Sequence, residues 1–276
     1  MIDFTVDAEM CIHCGQCARD CVASIITMDE GIPSITPARE EKCLQCLHCL
    51  AVCPVGAISI LGKTPENSLP LKGMLPPADQ MERLLKGRRS IRHYKQENVD
   101  PSVLARLMEI TMHAPTAKNV QALQFTLVDN IETMHAIREA TYKGLRERMD
   151  GEGLPAGMEA FGTMVKLWER RGTDIIFRNA PHMLWVTTPV TGPAPTVDPV
   201  IALSYFELMA ASLGIGSVWC GYANWTLSQC VPSMKTRLGI PEDHTNGYVI
   251  MFGLPDVRYF RTVQRATQNV HRVVFP

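Results

Sequence analysis

Eight of the chain's ten cysteines fall between positions 11 and 53, as two copies of one pattern. The first run is Cys11-Ile-His-Cys14-Gly-Gln-Cys17-Ala-Arg-Asp-Cys21, and the second is Cys43-Leu-Gln-Cys46-Leu-His-Cys49-Leu-Ala-Val-Cys53-Pro54. A disulfide-held protein would spread its cysteines along the chain and need an oxidising compartment. Zinc takes its cysteines as two pairs, which gives no reason for the third cysteine of each run or for Cys53-Pro54. Three close cysteines wrap one cubane in a tight loop, and the fourth reaches a second cubane. The spacing therefore predicts that Cys11, Cys14, Cys17 and Cys53 hold one [4Fe–4S] cluster. Cys43, Cys46, Cys49 and Cys21 would hold the other, each fourth cysteine standing at the start of a helix. His13 and His48 lie inside the runs, but sulfur fills all eight positions, so they read as surface or packing residues.

Charge divides the chain in the same place. Residues 1–60 carry eight acidic side chains against Arg19, Arg39 and Lys42, a net −5, whereas the whole chain of 276 residues is at −1. The remainder is thus +4. So weak an overall charge excludes a nucleic-acid binder held by phosphate neutralisation. The longest apolar run, Pro199 to Ala223, is broken by Glu207 and three glycines and reads as a buried helix and loop, not a membrane span. No basic-then-apolar leader precedes Cys11, so the expected location is cytoplasmic. Residues 61–80, with Pro65, Pro70, Pro76 and Pro77 and no clear period, read as a linker. The expected domains are 1–60, an iron–sulfur module, and 81–276.

From Asp79 the pattern alternates between helices and strands. Helices are expected at Met81–Lys86, from the Asp100-Pro101 cap, at Ile131–Met149, and from Asp198-Pro199 to Leu213. Strands are expected at Leu123–Val128, Met183–Thr188 and Tyr248–Phe252, with a short last one at Val273–Phe275. The implied architecture is α+β, a small sheet with helices on both faces behind a small iron–sulfur domain. No glycine-rich dinucleotide fingerprint occurs, since Gly214-Ile-Gly216 ends a helix instead of opening one.

Five segments then line up in order: "RRSIRHY" from Arg88, "APTAKNVQALQF" from Ala114, "NAPHMLWV" from Asn179, "LGIGSVWCGY" from Leu213, and "GYVIMFGLP" from Gly247 with its basic tail. Together they resemble the nitroreductase family of FMN-dependent flavoproteins, over about Asp79 to the C-terminus. The cysteine runs resemble a bacterial two-cluster ferredoxin, whose first run usually carries proline where Val22 stands; the substitution would alter the potential or stability of the cluster held by Cys21. The resemblance implies a three-layer flavin domain and a homodimer with FMN at the subunit interface. By matching position, Arg88, Arg89, Ser90 and Arg92 would hold the phosphate, ribityl chain and pyrimidine edge. Thr116, Asn119 and Gln121 would approach the same flavin from the other subunit. Trp219, Cys220 and Gly221 would lie along the isoalloxazine, and Arg258 and Arg261 near the phosphate. Family members often carry proline and an acidic residue where Trp219 and Cys220 stand. In the stretch 141–173, Phe161, Met164 and Trp168 are the candidate substrate wall, or else the packed side of an amphipathic helix. Cys220 and Cys230 read as buried packing residues.

The expected function is an oxidoreductase. Two clusters would relay single electrons to FMN, which would reduce a small organic acceptor of nitroaromatic, quinone or enone type. A ferredoxin-type or other low-potential donor would dock on the acidic module by a basic surface. The alternatives are reductive dehalogenation or dehydrogenation on the same fold, and an electron-transfer or redox-sensing protein without turnover.

Overall fold

The computed structural model describes residues 2–266 and 269–275. Its backbone forms two compact units, Met1–Pro76 with Ala117–Val120, and Pro77–Thr116 with Gln121–Pro276.

In the first unit, β1 (Phe4–Val6) pairs antiparallel with β4 (Ile58–Ile60), which joins the two ends of the module. Between them, β2 (Ile26–Asp29) and β3 (Ile32–Ile35) form a hairpin. Its turn residues Glu30 and Gly31 both take positive φ. Two five-residue helices, α1 (Gln16–Asp20) and α2 (His48–Val52), follow the first two cysteines of each run and carry the third, Cys17 or Cys49, at their second residue. Each begins after a left-handed residue, Gly15 or Leu47, so the two loops share one backbone course although only one has glycine there. Ile25, Ile26, Leu50, Ile58 and Ile60 are buried around Cys17 and Cys49. That core is small for an independent fold, which is the usual reason such domains lean on metal.

The second unit is built on an antiparallel sheet of order β5-β6-β8-β7, with β5 at Gln124–Val128, β6 at His182–Thr187, β7 at Gly216–Trp219 and β8 at Tyr248–Gly253. Strand periodicity sends alternate side chains to opposite faces. Leu184, Val186, Ile250 and Phe252 pack with α4 (Pro101–Thr111) and α7 (Asp198–Ser212). Met183, Trp185, Val249 and Met251 pack with α5 (Ile131–Asp150) and α6 (Ala160–Arg171). Three layers result. The expected Asp100 cap is in place, accepting from the Ser102 N–H at 2.8 Å, and Asn130 caps α5 by accepting from the Thr133 N–H at 3.0 Å. At α7 the expectation is corrected, since Val197 is the N-cap and Asp198 is the first residue of the helix. α3 (Ala78–Gly87) leads into the sheet, and α8 (Gly221–Trp225), a π-helical turn at Thr226–Cys230 and α9 (Ser233–Arg237) lie between β7 and β8.

Three further expectations differ. Val273–Phe275 is exposed and forms no strand, because a short apolar run does not by itself supply a neighbouring strand. Gly216 opens β7 instead of merely ending a helix. Phe161 and Met164 are buried in the core, and Trp168 stacks on Tyr142 at 4.6 Å and 8°, so these three are the packed side of α6 and not a substrate wall.

Candidate functional site

The first unit contains two cavities that divide the cysteines across the runs. One is lined by Cys11, Cys14, Cys17 and Cys53, with Ile12, Met28 and Ile58. The other is lined by Cys21, Cys43, Cys46 and Cys49, with Leu44, Leu47 and Ile60. The interlacing has a simple origin. Cys21 and Cys53 stand just past the last residue of α1 and α2, at the end of a helix and not at its start as the spacing suggested. A five-residue helix turns the fourth sulfur away from the three that precede it.

The donor set suits a cluster better than a single ion. Among the described residues, no three Cys, His, Asp or Glu side chains come together as one metal ion requires, whereas zinc draws its sulfurs to about 2.3 Å from one point. Sulfurs spread around a cavity match the corners of a cubane. Backbone N–H groups also point at sulfur, from Ala57 to Cys53 Sγ at 3.2 Å and from Gln45 to Cys43 Sγ at 3.4 Å. Burial pushes the Cys17 thiol up and the Cys49 thiol to about 11. His13 Nδ1 donates to the Gly31 carbonyl at 2.9 Å, and His48 Nδ1 lies 3.3 Å from the Cys46 carbonyl. Both histidines therefore serve the backbone.

In the second unit, residues 88–92 lie along the β7 edge. Ile91 N–H donates to the Ser217 carbonyl at 2.9 Å, and Ser90 and Ser217 form a parallel bridge. The fit depends on Gly216, where an added Cβ would come within 2.8 Å of the Ile91 side chain. Tyr94 hydroxyl ties the segment down by donating to the Ile91 carbonyl at 2.6 Å. A cavity of about 320 Å³ is lined by Arg83, Arg88, Arg89, Gly216, Ser217 and Arg258. A second cleft continues along the same pair of segments and is lined by Arg92, Arg178, Trp219, Cys220, Gly221, Tyr222 and Trp225.

The charges are not balanced within the cradle. Arg88 pairs with the nearly buried Glu207 at 2.8 Å, and Arg83 lies 3.4 Å from exposed Asp79. Arg89 and Arg258 line the same cavity without a carboxylate partner among the described residues. The surplus suits an anion such as a phosphate.

Arg178 is a residue the sequence reading missed. It takes a left-handed backbone with φ 59, and its guanidinium stands 5.6 Å from the centre of the Tyr222 ring. Its loop is fixed by Asp174, which is wholly buried. Asp174 accepts from Arg138 Nε at 2.7 Å, the Tyr142 hydroxyl at 3.0 Å, Phe177 N–H at 2.9 Å and Asn179 N–H at 3.0 Å. Cys220 Sγ donates to the Ile176 carbonyl at 3.1 Å from the other side, and burial raises that thiol. Cys220 is therefore a packing and positioning group here. The one available signal for Arg178 was a cation directly before Asn179-Ala-Pro, a stretch noted only for its strand.

Trp219, which lines the cleft, rests 5.3 Å from the Tyr248 ring. The remaining expected site residues separate from it. Arg261 is exposed and lines neither of the two cavities. Thr116 hydroxyl accepts from the Gln121 N–H at 2.9 Å, while Asn119 belongs to the first unit, where its amide donates to the Leu44 carbonyl at 2.9 Å. Lys118, Asn119 and Gln121 all take positive φ, the kind of local strain that gathers at functional loops.

Comparison with known proteins assigns both parts. Residues 85–254 match the Nitroreductase family model, and residues 10–57 match the 4Fe-4S dicluster domain. A protein of Archaeoglobus fulgidus provisionally named NADH dehydrogenase/NAD(P)H nitroreductase is 28% identical over 169 residues, covering 61% of this chain and 81% of its own length. A ferredoxin of Pyrobaculum islandicum is 40% identical over 62 residues, covering 22% of this chain and 56% of its own. Among solved structures, a nitroreductase with bound FMN from Desulfitobacterium hafniense aligns with TM-score 0.53 and 26% identity, over 72% of this chain and 100% of the other.

Proposed function

We propose, from the premise that this chain belongs to the nitroreductase family and carries a 4Fe-4S dicluster domain ahead of it, that it is an FMN-dependent oxidoreductase fed with single electrons by its own iron–sulfur module. The observation that carries this reading is the pairing, in one chain, of two four-cysteine cavities with an arginine-lined cavity and a polar-aromatic cleft that both lie along β7 and residues 88–92. FMN, when bound, accepts single electrons and delivers a two-electron equivalent to an organic acceptor.

The chain's own residues have distinct tasks in this reading. Thiolates of Cys11, Cys14, Cys17 and Cys53 hold one cluster, and those of Cys21, Cys43, Cys46 and Cys49 the other. Arg88, Arg89 and Arg258 hold the flavin phosphate, with Glu207 keeping Arg88 extended across the cradle. Arg92 and Arg178 supply positive charge at the pyrimidine edge, where reduction builds negative charge. Trp219, Cys220 and Gly221 line the ring, and Cys220 and Asp174 act by fixing the loop that carries Arg178. The working form is a homodimer with FMN at the subunit interface. Thr116, Asn119 and Gln121 approach that flavin from the other subunit, and Arg261 joins Arg258 near the phosphate. The acceptor is a small planar organic molecule of nitro, quinone or enone type.

Anaerobic stopped-flow reduction of the flavin by a reduced low-potential ferredoxin tests the relay. Cys46→Ser, with flavin content unchanged, is expected to slow that step at least tenfold while leaving reduction by dithionite intact. Equal rates in both proteins would take the module off the path.

A further inference from the structure

The two cysteine loops of the first unit are near copies in sequence and backbone, yet they are not equally covered. Ile12, His13 and Gly15 of the first loop correspond to Leu44, Gln45 and Leu47 of the second. His13 and Gln45 have φ of 54 and 53, and Gly15 and Leu47 have 65 and 60. Leu44 is half-buried and its carbonyl is taken by Asn119. Ile12 is 58% exposed, Met10 beside it is 45% exposed, and Cys14 is exposed where Cys46 is not. Within this unit, then, the second loop is partly roofed by residues 117–120 and the first is open.

The open loop also carries a charged border. Asp7 and Glu9 precede it, all exposed, with the Asp7 carboxylate accepting from the Glu9 and Met10 N–H groups at 2.9 and 3.0 Å. Exposed Glu30 comes alongside through the hairpin turn, because His13 holds the neighbouring Gly31 carbonyl. An apolar centre of Met10 and Ile12 with an acidic rim is the complement of a protein whose redox centre is ringed by lysine or arginine. Opposed charges steer such a pair and the apolar centres make the close contact.

We propose that the Met10–Cys14 face is the docking surface for the electron donor of this chain, and that the donor is a small redox protein with a basic rim. The donor loses one electron, and the cluster held by Cys11, Cys14, Cys17 and Cys53 gains it. The proposal rests on the assignment of a cluster to that cavity, and it adds which of the two is the port.

A lysine-rimmed cytochrome c serves as the probe, with the full-length protein carrying its iron and flavin. Carbodiimide cross-linking of the unaltered chain, mapped by mass spectrometry, should join cytochrome lysines to Glu9 or Glu30; cross-links confined to Glu40 and Glu41 would overturn the proposal. The Glu9→Lys, Glu30→Lys double variant should weaken cytochrome binding at low salt by tenfold or more, with the cluster electron paramagnetic resonance signal unchanged. Glu41→Lys, at the matching place before the second loop, should change binding by less than twofold. Equal weakening in both variants, or in neither, would refute the assignment of the port. A purified chain without iron sinks the parent reading instead, and metal analysis shows this before any partner is added.

Discussion

Asp174 holds the loop that carries Arg178 into the second unit's cleft. It is buried with Arg138, and breaking a buried ion pair leaves an uncompensated charge, at a cost of about 3–5 kcal/mol. Asp174→Asn should therefore lower the thermal midpoint strongly and also release the loop that aims Arg178; a shift of less than a few degrees by calorimetry would mean the pair is dispensable. Arg89 is different, since it serves no fold contact among those described. Arg89→Ala should weaken flavin binding by about one to two decades, as expected for a charge-assisted bond of about 1.5–3 kcal/mol, while stability stays near that of the parent. Flavin retention after dilution and filtration measures it. His182 sets a pH dependence. Burial lowers its pKa from 6.5, and its Nε2 accepts from the Val99 N–H at 3.0 Å. Below pH 6.5 the unfolded chain binds a proton that the folded chain resists, so this stability is present above 6.5 and lost as pH falls below it. Denaturation of wild type and His182→Gln across pH 5–8 should show a shallower acid limb in the variant.

At the scale of elements, the readable parts were those with their own punctuation. α4 and α7 announced themselves by Asp100-Pro101 and Asp198-Pro199, α5 by its amphipathic period, and β6 and β8 by apolar runs between turn residues. β7 was not readable. It is four residues long, begins at a glycine, and is made a strand by its pairing with β8, from Gly216↔Gly253 to Trp219↔Ile250. The same glycine lets residues 88–92 lie against the strand. Gly216→Ala should cost about 1–3 kcal/mol from overpacking and loosen the cradle, and Ile91→Ala in the same chain should restore part of the stability. A double-mutant cycle on unfolding free energy reads this directly; strict additivity would show that the two side chains do not meet.

For the molecule as a whole, the composition break near residue 60 and the two cysteine runs disclosed a module, and five short segments disclosed its larger neighbour. What the chain could not disclose is long-range placement. Nothing in Ala114–Gln121 says that Asn119 will serve the unit built from the first 76 residues. Nothing in Asp174 or Arg138 says that they will meet across 36 positions. Such partners are chosen by the folded backbone and not by local pattern. The cysteine grouping, by contrast, was legible in the spacing of the two runs, and the two cavities divide the cysteines in the same way. Complete protein should contain about eight iron atoms per chain, four for each cubane; stoichiometric zinc in their place would reject the module assignment.

The crossing of Cys21 and Cys53 between the cavities has a consequence for how such a protein is made and how it fails. Under the proposed ligand assignment each helix end would be fastened to the neighbouring loop's cluster, so a chain loaded with only one cluster would leave one helix end untethered and the other cavity short of a wall. Half-matured chains would be the ones most open to proteolysis and to oxygen. Damage to either cluster would propagate to its twin, and inactivation in air should follow one exponential instead of two.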